Sequence, residues 1–272
     1  MLAIELINRC NFDCFFCGAR LNKIDQPRET IPNSIFYPII DDAIHLGVSR
    51  LKLTPSTGEI FLDNEIYEKL DYIEKSKIEK VEFHTNFSLV NIDKLLRYKK
   101  LHIFISHYGC GNYETFSYMT QQNRAMFDRI EDNIAEAKRK GLHILVDPRP
   151  LSYDFNYDNT DDKTLPDTYK TKRDRIVMKN GLCGMLWLPR ILSNGDFVYC
   201  TCSGKARDLP SYMILGNVFS TSLEKLYLSA KRKEMILEHK GGKYNDYCLK
   251  CNSFSKKITP TIFCLRNFSK MK

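Results

Sequence analysis

The sequence predicts an α/β fold built on parallel strands, followed by a smaller region of different construction. Three observations carry this. Short apolar or β-branched runs alternate with longer runs of helical periodicity from residue 2 to about residue 150. The rhythm stops in a stretch rich in Asp, Asn and Tyr. Beyond it the chain carries hairpin and cysteine patterns instead. Alternating strands and helices imply right-handed crossovers between parallel strands, in a doubly wound sheet or an open or closed barrel. In each of these, ligands gather at the carboxyl ends of the strands.

The elements follow in order. Leu2–Ile7 reads as a short buried strand. Asn33-Ser34 offers a helix cap before Ile35–Leu46, whose apolar residues keep helical spacing up to Gly47. Arg50–Thr54 reads as a strand, Glu65–Ser76 as a helix, Lys80–His84 as a strand and Ile92–Tyr98 as a helix. Leu101–Ser106 is the next strand, Phe127–Arg139 an amphipathic helix closed by Gly141, and Leu142–Val146 a strand running into Asp147-Pro148-Arg149-Pro150. Tyr153–Asp162 belongs to an excursion, a lid or linker. Ile191–Cys200 reads as a hairpin turning at Asn194-Gly195, and Ser222–Leu237 as a helix. The expected organisation is therefore a core over 1–150, a linker or lid over 151–180 and an auxiliary region over 181–272.

The chain has 272 residues, 43% of them hydrophobic, which is ordinary for a packed globular protein. No apolar run reaches bilayer length, and Met1 leads into a strand without a basic head or cleavage site. The expectation is a cytoplasmic protein without a membrane partner. The net charge of +8 includes clusters at Lys138-Arg139-Lys140 and Lys231-Arg232-Lys233. These read as solvated helix faces in preference to a nucleic-acid surface. An anionic substrate stays open.

Ten cysteines are many for a reducing compartment, where clustered cysteines read as metal ligands and not as disulfides. Three of them form Cys10-Asn11-Phe12-Asp13-Cys14-Phe15-Phe16-Cys17, a C-x3-C-x2-C loop directly after the first strand. Three thiolates on one loop can cap three irons of a 4Fe–4S cubane and leave the fourth iron open. The alternative is structural zinc, which prefers paired C-x2-C knuckles.

These residues resemble the radical S-adenosylmethionine enzymes, whose signature is this spacing with an aromatic before the last cysteine; Phe16 holds that place. The resemblance implies a partial (β/α)6 barrel. It also implies a cluster on Cys10, Cys14 and Cys17 whose open iron chelates S-adenosylmethionine, and an external electron donor such as flavodoxin or ferredoxin. Thr57-Gly58-Glu59 resembles the family's Gly-Gly-Glu segment, which implies that Gly58 and Glu59 accept the methionine ammonium; Thr57 replaces the first glycine, and the alternative for Glu59 is a solvated loop residue. His84-Thr85-Asn86 stands where relatives carry Thr-Asn-Gly, so Asn86 either touches the cofactor or caps the next turn. Ile105-Ser106 resembles the start of Ile-Ser-Leu-Asp-Gly, with Ser106 a ribose contact. Leu145 and Val146 stand where relatives touch adenine, or serve only the core.

Further on, Leu192–Cys200, Leu215-Gly216-Asn217-Val218 and Ser222–Leu226 resemble segments of SPASM and Twitch domains. The shortened Twitch form implies one auxiliary 4Fe–4S cluster on Cys183, Cys200, Cys248 and Cys251, with Cys202 and Cys264 as alternates. A zinc ribbon on the same residues stays open. An auxiliary cluster suggests an electron acceptor for a two-electron oxidation, which requires a base. Asp147 and Arg149 are the candidates, and the alternative for both is a solvated turn. Tyr108 and Cys110 also stand near that edge.

The leading expectation is a radical oxidoreductase acting on a small sugar-like or aminocyclitol-like molecule. A second is a maturase of a ribosomally made peptide, against which no leader-recognition segment precedes the core. A third is a non-enzymatic iron–sulfur or zinc protein.

Overall fold

The structure, a computed structural model, describes residues 1–17, 29–55, 58–149, 181–200, 209–250 and 270. Thr57, the 151–180 excursion, Cys202, Cys251 and Cys264 lie outside the described residues.

The strands are β1 (Leu2–Ile4), β2 (Arg50–Lys52), β3 (Lys80–Thr85), β4 (Leu101–Tyr108) and β5 (Ile144–Arg149), followed by β6 (Arg190–Ile191), β7 (Asp196–Val198) and β8 (Ile214–Asn217). They form one sheet in the order β5-β4-β3-β2-β1-β6-β7-β8. β1 to β5 are parallel neighbours in sequence order, as the strand–helix alternation requires. The sixth parallel strand, β6, lies against the free edge of β1. That edge would otherwise present unpaired backbone groups. Ala3 N donates to Pro189 O at 3.2 Å and Glu5 N to Ile191 O at 2.8 Å. The hairpin expected at Asn194-Gly195 is thus the continuation of the core sheet: β6 pairs antiparallel with β7, and β7 with β8. Gly195 has φ 83°, and a Cβ there would stand 2.6 Å from Asn217 Oδ1. Asn217 needs that room, because its Nδ2 ties the turn by donating to Asn194 O at 2.9 Å and Asp196 Oδ1 at 3.0 Å.

The helices are α1 (Asn33–His45), α2 (Ile66–Lys75), α3 (Ile92–Leu95), α4 (Tyr113–Thr120), α5 (Arg124–Arg139), α6 (Leu223–Tyr227), α7 (Ala230–Lys240) and α8 (Asp246–Lys250). α1 buries Phe36, Ile39, Ile40 and Ala43, and α5 buries Phe127, Ile130, Ile134 and Ala137, each a stripe at helical spacing. Against them lies the apolar face of the sheet, with Leu51, Val81, Phe83, Ile103 and Ile105 in the same core. α4 is absent from the sequence-based elements. Its Thr-, Ser- and Tyr-rich composition carries little helix propensity, and it forms between an Asn112 cap, whose Oδ1 accepts from Thr115 N at 2.8 Å, and a left-handed Gln121.

The helix expected over Ser222–Leu237 is two helices. Ser229 caps the second, accepting from Arg232 N at 3.3 Å, so the chain turns at Leu228-Ser229. Arg232 also corrects the reading of Lys231-Arg232-Lys233 as a solvated face. It is 1% exposed, its guanidinium donates to Tyr227 O and Leu186 O, and it lies 3.9 Å from the Tyr227 ring centroid. A charge placed there is tolerated because carbonyls and a π face meet it. Among the described residues no helix is long and apolar enough to cross a membrane.

One buried ion pair supports the α1–α2 corner. Lys69 Nζ lies 2.7 Å from Asp63 Oδ2, with side chains 0% and 1% exposed, and reaches Glu65 Oε2 at 3.2 Å. Burial pushes the Asp63 carboxyl up while Lys69 pulls it down. Lys69→Ala strands that carboxylate, so the expected loss is about 3–5 kcal/mol in the urea unfolding transition. The double variant Lys69→Met, Asp63→Asn should recover much of it.

Candidate active site at the carboxyl edge of the sheet

The cysteine loop leaves β1 and folds across the carboxyl ends of the other strands. Its inner turn is closed by Cys17 N donating to Cys14 O at 2.9 Å, and Phe15 N donates to Met119 O of α4 at 3.2 Å. Cys14, Phe16 and Met119 form a small apolar cluster, joined by Phe12, Phe15 and Tyr108. The Phe16 and Tyr108 rings stand 5.3 Å apart. α4, unseen in the sequence, is therefore the platform of the loop. Burial pushes the Cys14 thiol well up, and the neighbouring Cys17 and Cys10 add to it.

Gly58 explains how the loop approaches. A Cβ there would lie 2.6 Å from Ile7 O and 3.2 Å from Arg9 O. Glu59 N donates to Arg9 O at 2.9 Å. The Glu59 side chain is 1% exposed. Its Oε1 accepts from Thr85 Oγ1 at 2.7 Å and Phe61 N at 3.3 Å, and its Oε2 from Asn86 N at 2.7 Å. Burial raises its pKa, and those three donors oppose the rise. A carboxylate has about four acceptor positions. Among the described residues three are taken, and one position on Oε2 has no donor. Asn86 continues the chain of contacts. Its Nδ2 donates to Asn11 Oδ1 at 2.9 Å and stands 3.9 Å from Cys10 Sγ, and its Oδ1 accepts from Ser88 N at 3.0 Å and Ser88 Oγ at 2.7 Å. Asn86 therefore contacts the loop and also supports its own turn.

The strands' alternation sorts the remaining residues. The face opposite the apolar core carries Lys52, Glu82, His84, Phe104, Ser106, Tyr108, Asp147 and Arg149, and the pairings Ser106–Asp147 and Tyr108–Arg149 place them side by side. Arg149 Nη2 donates to Asp147 Oδ2, and His84 Nε2 stands 3.8 Å from the same oxygen. His84 is the site residue that the sequence reading passed over. Its signal was parity: residue 84 shares a strand face with 82. Its ring stacks on Phe104 at 4.9 Å and 18°. Its backbone N donates to Thr54 Oγ1 at 3.1 Å, so the single Thr54 hydroxyl hydrogen can turn to Nδ1, 3.3 Å away. That arrangement is compatible with a ring proton on Nε2, on the side of Asp147. Burial, then Lys52 and Arg149, lower its pKa to about 4, so the ring is neutral at pH 7. Leu145 is exposed at 41%, while Val146 is half-buried and packed on the core. Cys110 is exposed, not buried, in a left-handed turn with φ 51°, and its thiol lies 3.8 Å from His107 O.

In the C-terminal region Cys183, Cys200 and Cys248 are all buried. All three act on Tyr199, whose hydroxyl is pushed up first by burial and then by Cys248, Cys200, Glu238 and Cys183. His239 Nε2 lies 3.3 Å from Cys248 Sγ.

The donor sets fit iron–sulfur clusters. Soft thiolates suit such clusters, and Phe12 N donates to Cys10 Sγ at 3.4 Å, a contact that suits a thiolate acceptor. Among the described residues no three His, Cys, Asp or Glu side chains gather as tightly as a single metal ion requires. Gly58→Ala should push the cysteine loop off the Gly58–Glu59 segment. The expected result is at least a several-fold loss of cluster iron retained on the N-terminal loop after anaerobic reconstitution, measured by iron assay.

The profile of the radical SAM superfamily matches residues 4–159. The profile of an iron–sulfur cluster-binding domain, SPASM, matches residues 186–252. A probable GTP 3′,8-cyclase of Methanocaldococcus jannaschii is 26% identical over 174 residues, covering 64% of this chain and 55% of that protein. An uncharacterized protein of the same organism is 26% identical over 144 residues, covering 53% and 45%. The chain thus spans about half the length of the curated relatives it matches. Among solved structures, BtrN in complex with AdoMet and 2-DOIA is 14% identical at a TM-score of 0.58, covering 96% of this chain and 97% of that one. Native anSMEcpe with bound AdoMet is 13% identical at 0.59, covering 99% and 95%. SuiB of Streptococcus suis bound to S-adenosylmethionine is 16% identical at 0.56, covering 95% and 71%. At these identities the likeness is one of fold. With more than half of its length matched, the chain belongs to the radical SAM superfamily, and its two matched domains imply S-adenosylmethionine and 4Fe–4S clusters as cofactors.

Proposed function

We propose that this chain is an oxidoreductase that removes a hydrogen atom, a proton and a second electron, two electrons and two protons in all, from a small polar substrate of sugar or aminocyclitol type. The observation that supports it most is the polar sheet face. Ser106, His84, Asp147 and Arg149 share it, beside the cysteine loop at the same carboxyl edge. In this reading Cys10, Cys14 and Cys17 hold one cluster. Cys183, Cys200 and Cys248 hold the auxiliary one, together with Cys251 outside the described residues and with Cys202 and Cys264 as alternates. When bound, the cofactors supply a 5′-deoxyadenosyl radical that abstracts a substrate hydrogen, and an acceptor for the second electron.

The chain's own residues bind, orient and take the proton. Glu59 offers its remaining Oε2 position to the methionine ammonium, a charge-assisted contact. Gly58 lets the backbone approach, Phe16 packs the loop, Asn86 steadies Cys10 and Ser106 offers a hydroxyl to the ribose. Asp147 is the base. Arg149 donates to its Oδ2, and the His84 ring stands 3.8 Å from the same oxygen, which orients the carboxylate and leaves Oδ1 to accept the substrate proton. A peptide substrate is the second reading, supported by the equal likeness to anSMEcpe, which is known with bound peptides. Turnover assays with aminocyclitols and amino sugars against precursor peptides separate the two.

Anaerobic reconstitution should yield about eight irons per chain, as two four-iron clusters require; four would remove the auxiliary cluster from the reading. Alanine at Cys10, Cys14 and Cys17 should abolish 5′-deoxyadenosine formation, followed by liquid chromatography. Asp147→Asn keeps the shape of the side chain and removes the base. It should leave uncoupled S-adenosylmethionine cleavage intact and slow substrate oxidation by about 10²–10⁴-fold; unchanged oxidation would dismiss Asp147 from that role.

A further inference from the structure

The C-terminal region holds a polar contact to a proposed ligand cysteine that the proposed chemistry has not used. His239 lies near the end of α7, 2% exposed, with Nε2 3.3 Å from Cys248 Sγ. The ring is clamped by two aromatic neighbours in edge-on contact, Tyr199 at 5.8 Å and Tyr244 at 4.9 Å. Both tyrosines are themselves fixed. Tyr199 Oη donates to Met235 O at 2.9 Å and Tyr244 Oη to Gly181 O at 2.7 Å. Cys248 is held from the other side, its N–H donating to Asn245 Oδ1 at 2.9 Å. A flexible surface histidine would not need this much support.

We propose that His239 is a positioning residue that donates its Nε2–H to the Cys248 thiolate and thereby raises the reduction potential of the auxiliary iron–sulfur centre. The proposal rests on the reading that Cys183, Cys200, Cys248 and Cys251 hold that centre. A thiolate has no hydrogen, so a nitrogen at 3.3 Å must bring its own. Each reduction adds negative charge to the cluster, and a donor on a ligand sulfur stabilises the more negative state. A higher potential makes the centre a better acceptor for the electron that a substrate radical must lose. The distance also bears on ligation. In a cubane each iron takes one terminal ligand and these point to separate corners, so two donors 3.3 Å apart do not both fill that role. Two donors on one zinc ion do stand at about this separation, since Zn–N is about 2.0 Å and Zn–S about 2.3 Å.

The test uses the full chain with Cys10, Cys14 and Cys17 replaced by Ala, so that only the auxiliary centre is read. Iron and zinc are assayed first. Four irons sustain the underlying reading, whereas zinc in their place overturns both it and the proposal. Potentiometric titration followed by electron paramagnetic resonance then compares His239 with His239→Leu and His239→Gln. The expected result is a lower potential in the Leu variant at full iron content, with partial recovery in the Gln variant, whose amide still donates. An unchanged potential in the Leu variant overturns the proposal. A measurement on the chain with His239 intact guards against misfolding of the variants: ¹⁵N-histidine labelling should give a weak nitrogen hyperfine coupling through the hydrogen bond. A strong coupling, marking direct ligation, or no coupling at all overturns the proposal.

Discussion

The carboxylate of Glu59 joins parts of the chain that would otherwise have no reason to meet. It is buried, so each of its oxygens must find donors inside the protein. Those donors are Thr85 and Asn86 at the end of β3 and Phe61 in its own turn. Its backbone N–H meanwhile holds the chain just before Cys10. Through Asn86 the same network reaches Asn11 and the Cys10 sulfur. The cysteine loop is thus attached to the sheet by a connected set of satisfied polar groups. Such a set gives one register for the loop, because any other leaves a buried carboxylate short of partners.

The second organising constraint is strand parity. Each parallel strand sends alternate side chains to the helix-covered core and to the opposite face. On β3 and β4 the core side takes Val81, Phe83, Thr85, Ile103 and Ile105, and the opposite side takes Glu82, His84, Phe104 and Ser106. Among the described residues α1 and α5 pack on the apolar side, and the polar residues line the opposite one. Its chemistry ends up beside the cysteine loop because both occupy the carboxyl edge, where the loops of a parallel sheet converge. The His84–Asp147–Arg149 group depends on this arrangement, since its members come from strands separated by β4.

The C-terminal hairpin extends the same sheet. β6 completes the open edge of β1, and β7 and β8 follow it. Cys183 precedes β6 and Cys200 follows β7 in sequence, while Cys248 comes from α8 and is met by His239 from α7. The break at Leu228-Ser229 sets the direction of α7, and the buried Arg232 anchors it to Leu186 and Tyr227.

The sequence by itself determined what is local. The C-x3-C-x2-C spacing, the alternation of strands and helices, the Asn194-Gly195 turn and the apolar stripes of α1 and α5 all follow from residues close together in the chain. Their physics is short-ranged: thiol spacing, side-chain period, the φ a turn demands. Tertiary structure alone decided which distant groups meet. Asn86 reaches Cys10 across 76 positions, and Ser193 reaches Glu5 across 188. β6 pairs with β1, His84 faces Asp147, and α4 carries the cysteine loop despite a composition that favours no helix. These contacts depend on strand register and on satisfying buried polar groups, and neither is written in any single stretch of the chain.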